Sequence, residues 1–167
     1  MLADDPRLDV RDASAPRGQP RPVVLDARGR TPAGAHVVRP GAIVVTTDDG
    51  ADRLAPLAGA GVDVVRVAAA ASGGVDLRAA MAALAARDVQ TVLAEPGATL
   101  AGALMAADVV DRVVRHVATS VQVGDGRARI VAPVATSARW PLAHAVWRRP
   151  DLELVVDRPA DRTHPGG

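Results

Sequence analysis

Cysteine is absent from the 167 residues, and with it go disulfide frameworks, thiolate metal sites and cysteine nucleophiles. Lysine is absent as well: the 20 basic residues are all arginine, set against 19 acids for a formal net charge of +1. They are spread along the chain, so no basic stripe points to nucleic acid, although a local arginine pocket for one phosphate group fits that balance. Phe and Tyr are missing, and two tryptophans are the whole aromatic content, so the core must be built from Val, Leu and Ala. Small side chains bury less area each, which implies modest intrinsic stability. No apolar run approaches the roughly 20 residues that a membrane span requires. The start, "MLADDPRLDVRD", has acids where a secretion signal carries a basic region, so the chain reads as soluble and cytoplasmic.

The length suits one domain with one core. Residues 1–20 contain "SAPRGQP", a Pro/Gly/Ser-rich loop composition. "RPVVLDA" (21–27), "AIVVTT" (42–47) and "VDVVRVA" (62–68) are short β-branched runs bounded by turn residues, and each predicts a buried strand. A brief helix in "DDGADRLAPLAGAG" separates the last two. "ASGGVDLRAAMAALAARD" predicts the clearest helix, with Asp76 as its cap and Leu77, Met81, Leu84 and Ala85 on one face. The pattern then predicts a strand over 89–95, a helix in "ATLAGALMAADVV", a long strand over 111–123, and a loop in "GDGRAR". Two further strands turn about Arg149-Pro150-Asp151, followed by a polar tail at 159–167 expected to be disordered. Strand–helix alternation followed by strands alone predicts an α/β fold, its sheet mostly parallel with an antiparallel C-terminal edge.

The stretch "TVLAEPGATLAGAL" (91–104) holds the best candidate chemistry. The first N–H groups of a helix have no intrahelical partner, and with the helix dipole they suit a phosphate. Gly97 lets backbone approach a ligand, Thr99 can cap the helix or contact that ligand, and Glu95 at a strand end can accept hydrogen bonds from a polar ligand. The plainer reading stands beside it: Pro-Gly is a common turn, Gly102 can serve tight helix–sheet packing, and a strand-terminal Glu is usually solvated. In "LADDPRLDVR", Asp4-Asp5-Pro6 reads as a turn or a solvated acidic loop, while Arg11 and Leu8 offer a guanidinium and an apolar contact. His36, His116, His144 and His164 are far apart with no partner at ligand spacing, so no metal site is expected. The serines lack a nucleophile elbow. Arginines 148, 149, 158 and 162 read as a solvated edge.

Four segments, "LADDPRLDVR", "RPVVLDARGRTP" (21–32), "AIVVTT" and "LAEPGATLAGALMAADVVDRV" (93–113), come in the order and approximate spacing of one family. The chain resembles the reductase domain of the bifunctional riboflavin-biosynthesis deaminase/reductase, within the dihydrofolate-reductase-like superfamily. That resemblance implies a three-layer α/β/α fold, and a cytoplasmic, homodimeric oxidoreductase that uses NADPH. Its small-molecule substrate is implied to be 5-amino-6-(5-phosphoribosylamino)uracil, whose ribosyl group is reduced to ribityl; no nucleic-acid or membrane partner is implied. Hydride chemistry belongs to the cofactor, which fits a sequence without triad, thiol or metal cluster.

Matched by position, Leu8, Arg11 and Glu95 are implied substrate contacts. Asp4 and the run Gly97, Ala98, Thr99, Leu100, Ala101, Gly102 and Ala103 are implied cofactor contacts; no catalytic side chain is assigned. The family's first strands and a Ser-x-Asp-Gly segment have no counterpart before Asp4, so the domain, read as 1–158, is expected to lack its first strands. Ala27 stands where a cofactor-contacting Ser is frequent, and Pro96 removes one backbone donor. A second reading follows from these departures: a non-catalytic remnant or interaction module that keeps the fold.

Overall fold

The computed structural model describes residues 4–11, 18–118 and 140–160. They fall into two compact units, Met1–Thr91 and Val92–Gly167.

The first unit is built on a parallel sheet of β1 (Val23–Leu25), β2 (Ile43–Thr46) and β3 (Asp63–Arg66), in that spatial order. Val24, Val44 and Val64 lie in register across it. All four residues of β2 are buried, as expected of a central strand covered on both faces. Side chains alternate between those faces. Val24 and Val44 join Leu54, Leu57 and Val62 in one apolar cluster, while Ile43, Val45 and Val65 join Val75, Ala80 and Leu84 in another.

Each cluster is closed by its own helical layer, so this unit is three layers deep. On the first face lie α1 (Asp48–Leu54) and a 3-10 segment, Ala55–Ala60, ending at Gly61 in the left-handed region (φ 75°). Asp48 and Asp49 in the first turn of α1 and Arg53 in its last suit the helix dipole. On the second face lies α2 (Leu77–Ala85), capped as expected by Asp76, whose carboxylate accepts from the N–H of Arg78 at 2.9 Å and of Ala79 at 3.0 Å. Arg87, just past α2, reaches back to Asp63 at 2.7 Å and ties the helix end to the start of β3.

The second unit holds α3 (Ala98–Ala106) and an antiparallel sheet of β4 (Arg112–Val117), β5 (Leu142–Arg148) and β6 (Asp151–Asp157), with β6 in the middle. The β5–β6 hairpin turns at Arg149-Pro150, a cis peptide. Parallel and antiparallel parts are thus both present, the antiparallel strands forming a sheet of their own.

Four local expectations are corrected. Residues 89–95 are not a strand: the segment pairs with none of the described strands, and Val92 and Leu93 are 41% and 83% exposed. An apolar alternation becomes a strand only where a neighbour takes up its N–H and C=O groups. The helix from Ala98 stops at Ala106 because Asp108 takes a left-handed φ of 57° and ends the helical run. Glu95 therefore sits on irregular, exposed backbone and not at a strand end. Arg158 is not a solvated edge residue: its side chain is 9% exposed and donates to the carbonyls of Val110 (3.0 Å) and Asp108 (2.8 Å). It supplies acceptors' partners that the β4 approach would otherwise leave unpaired. Residues 119–123 of the expected long strand, the "GDGRAR" loop, Arg162, His164 and residues 161–167 of the tail lie outside the described residues. Among the described residues no helix is long and apolar enough to cross a membrane.

Candidate functional site

In a parallel sheet, ligands gather beyond the carboxyl ends of the strands. At that end of β1 the chain turns through Asp26-Ala27-Arg28-Gly29-Arg30, and Asp26 organises the turn. Its carboxylate is buried, and one oxygen, Oδ2, accepts from the N–H of Arg30 (2.6 Å), the N–H of Thr31 (2.6 Å) and Thr31 Oγ1 (2.8 Å). The other oxygen takes no hydrogen bond and has the Arg30 guanidinium at 3.8 Å. Thr46 and Thr47 at the end of β2 fasten the same turn by donating to the carbonyls of Asp26 and Ala27, both at 2.8 Å.

Close approach fixes the next layer. A Cβ on Gly50 of α1 would collide with Thr46 Oγ1, and would stand 2.6 Å from Gly29 N and 2.8 Å from Ala27 O. Gly29 itself has φ 62°, a conformation that glycine adopts without steric cost. Ala27 is partly buried against the second core cluster, which leaves Arg28 and Arg30 as the exposed side chains of the turn.

Asp4, Leu8 and Arg11 sit together on the irregular segment 4–11 of the first unit. Asp4 is exposed, and Leu8 packs against the first core cluster. Arg11 projects into solvent with its side chain 74% exposed, its Nε 3.6 Å from Asp9 Oδ1. That Asp9 oxygen is enclosed and takes no hydrogen bond, so the guanidinium is the charge that faces it. A cavity of about 360 Å³ opens beside the segment, lined by Arg7, Asp9, Gln19, His36 and Arg39.

Glu95 and the run Gly97 to Ala103 belong to the second unit. Glu95 is exposed and makes no hydrogen bond or ion pair among the described residues. Gly97 is the N-cap of α3 with φ −68° and ψ 168°, extended backbone that any residue adopts, and no atom lies within 4 Å of where its Cβ would stand. Neither backbone conformation nor packing therefore requires glycine at 97. No side chain caps this helix, so Thr99, exposed in its first turn, does not play the capping role open to it from sequence. The first N–H groups of α3 are left for another acceptor, a suitable seat for a phosphate. Leu104 is the buried residue of this helix, and Leu100, Ala101 and Gly102 are half-buried.

The histidines are less isolated than their spacing suggests. His36 pairs with Asp5, and His116 and His144 both approach Glu153, at 4.0 and 3.7 Å. His36 and Asp5, like His116 and Glu153, are more than 30 residues apart in sequence and carry no local signal of such pairing. Among the described residues no group of His, Cys, Asp and Glu is arranged to hold a metal ion. On the antiparallel sheet, Arg112 holds Asp157 through two hydrogen bonds of 2.6 and 2.9 Å, which keep its carboxyl below the usual carboxylate range and raise the guanidinium in turn.

The RibD C-terminal domain family matches residues 1–154, through both units. The chain belongs to that family. As a RibD C-terminal domain, it is similar in fold to RibD of Acinetobacter baumannii. One form of that protein superposes with a TM-score of 0.70 at 24% identity over 93% of this chain and 44% of the other. A second form superposes at 0.69 and 24% over 93% and 43%. A pyrimidine reductase-like protein of Corynebacterium diphtheriae superposes at 0.66, with 17% identity over 83% of this chain and 61% of its own. This RibD C-terminal domain thus spans less than half the length of the Acinetobacter chains it matches.

Proposed function

We propose that this RibD C-terminal domain is an NADPH-dependent reductase of riboflavin biosynthesis, converting the ribosyl group of 5-amino-6-(5-phosphoribosylamino)uracil to ribityl. The observation that carries the proposal is the family match through both units, joined to a helix start that is uncapped and open at a glycine the fold itself does not need. The Corynebacterium protein, which is pyrimidine reductase-like, agrees with the substrate class.

NADPH, when bound, supplies the hydride; the protein's part is to bind and orient. Gly97 and the N–H groups at the start of α3 would hold a cofactor phosphate, and the rest of the run to Ala103 and Asp4 are proposed as further cofactor contacts. Glu95 would accept hydrogen bonds from the substrate. Arg11 would offer its guanidinium to the substrate's anionic part, with Leu8 as the apolar contact beside it. The same reading takes residues 1–158 as one reductase domain, cytoplasmic and homodimeric.

A second reading is a module that keeps the fold without turnover, supported by the departures from the family's pattern at Ala27 and Pro96. One experiment separates the two. Purified protein is given NADPH and the ribosylamine, and the product is examined by mass for the gain of one hydride and one proton. NADPH oxidation with that product supports the reductase; NADPH left unconsumed by a folded chain supports the module.

A further inference from the structure

Segment 4–11 has no secondary structure of its own, yet it bears three of the residues assigned to ligands. Two of its non-glycine residues, Asp5 (φ 38°) and Leu8 (φ 51°), occupy the left-handed region. Such conformations persist only where surrounding contacts over-determine them.

The contacts come from one place. The His36 N–H donates to Asp5 Oδ1 at 2.9 Å, and its ring Nδ1 lies 2.7 Å from Asp5 Oδ2 and 3.2 Å from the Asp5 carbonyl. Arg39 directs its guanidinium at backbone: Nη1 donates to the carbonyl of Arg7 at 2.7 Å, and Nη2 to that of Leu8 at 3.3 Å. The two strained residues are therefore the two that bracket this grip. The grip stands on firm ground, because Ala35 and Val37, flanking His36, are buried in the first core cluster, and the chain there is wound into turns (Ala35 N–H to Pro32 O, 3.0 Å; Val38 N–H to Ala35 O, 2.9 Å). At the far end of the segment, Gln19 exchanges two hydrogen bonds with the backbone of Val10, at 2.8 and 3.1 Å.

We infer that His36 and Arg39 are positioning residues, which hold segment 4–11 in its strained form so that Leu8 and Arg11 are presented to the substrate. The inference rests on the reductase reading for its last step. Arg39 is suited to the work because its planar fork reaches two carbonyls at once, which a single ammonium on a flexible stem cannot do with the same order. Each acts through the backbone it grips.

The test uses the full chain and its Arg39→Ala, His36→Ala and Arg39→Lys variants, with two readouts. Hydrogen exchange at the amides of residues 5–10 is expected to quicken about tenfold in both alanine variants, while the amides of residues 43–46 in the central strand stay as slow as before. In turnover, KM for the ribosylamine is expected to rise about tenfold with kcat held within about threefold, and Arg39→Lys to recover part of the loss. Unchanged exchange at residues 5–10 in both alanine variants overturns the inference. So does an equal quickening at 43–46, which would make these residues general supports of the fold. Absence of turnover in the unmodified chain overturns the reductase reading instead, and the exchange comparison then still decides whether the grip exists.

Discussion

Asp26 and Thr31 are joined twice through a single carboxylate oxygen, which accepts both the backbone N–H and the hydroxyl of Thr31 while also taking the N–H of Arg30. Three donors on one buried oxygen make this acid the organiser of the turn after β1. Replacement by Ala strands those donors, and Asp26→Ala is expected to destabilise the chain by about 2–4 kcal/mol; Thr31→Val, which removes one bond, by about 1 kcal/mol. Denaturant melts of the two variants check the order, and an Asp26→Ala loss no greater than that of Thr31→Val would show that the turn is held by other means.

The tight seating of α1 on the same turn leads to a second expectation. Gly50→Ala introduces one methyl group against Thr46, Gly29 and Ala27, of which two contacts are backbone atoms that cannot swing aside. A cost of about 1–3 kcal/mol is expected, contrary to the usual gain from Gly→Ala in a helix. Thermal unfolding decides the sign.

Gly97 behaves oppositely. Its backbone is in an ordinary extended conformation with open space around the missing side chain, so Gly97→Val is expected to lower the melting temperature only slightly, by the poorer N-cap that valine makes. If the turn receives a cofactor phosphate, that variant weakens NADPH binding by about tenfold or more, because a branched side chain stands where the ligand approaches. Titration calorimetry reads it, and undiminished affinity would remove Gly97 from the cofactor contacts. Glu95→Ala, exposed and unbonded among the described residues, is expected to raise KM for the ribosylamine about tenfold with no change in stability.

Arg112 and Asp157 carry a pH dependence whose sign follows from their pairing. The Arg112 hydrogen bonds hold the Asp157 carboxyl below its ordinary value, aided by the nearby charges of Arg112 and His144. A carboxyl lowered on folding contributes stability that is present above its unfolded pKa, about 3.9, and is lost as the pH falls through the lower folded value. The contribution is small at so exposed a place. Carboxyl-carbon NMR should show Asp157 titrating at lower pH than it does in Arg112→Gln, and coincident curves would mean that the pair does not form in solution.

Signals that act over a few residues were legible in the sequence. Asp76 announced the start of α2, the β-branched runs announced β1, β2 and β3, and Arg149-Pro150 announced the hairpin between β5 and β6. Family membership was legible too, because its segments occur in order along the chain. Pairing over long separations was not. The alternation at 89–95 read as a strand, since nothing within it tells whether a neighbour exists. Arg158 read as surface because it stands next to a polar tail, although its partners are carbonyls about 50 residues earlier. The grip of His36 and Arg39 on the segment around Asp5 and Leu8 spans about 30 residues, and no local pattern could have found it.

The irregular segment 89–95 also sets how this protein can be taken apart. It lies at the boundary of the two units, with Leu93 largely exposed, which leaves it open to a protease. Yet from Asp88 to Asp111 the chain contains neither Lys nor Arg. Trypsin, which cuts after those residues, must pass over the boundary. It releases Glu95 and the whole of α3 in one peptide ending at Arg112, whereas an enzyme that cuts after leucine opens the chain at Leu93, leaving the segment that bears Arg11 on one fragment and the glycine turn on the other.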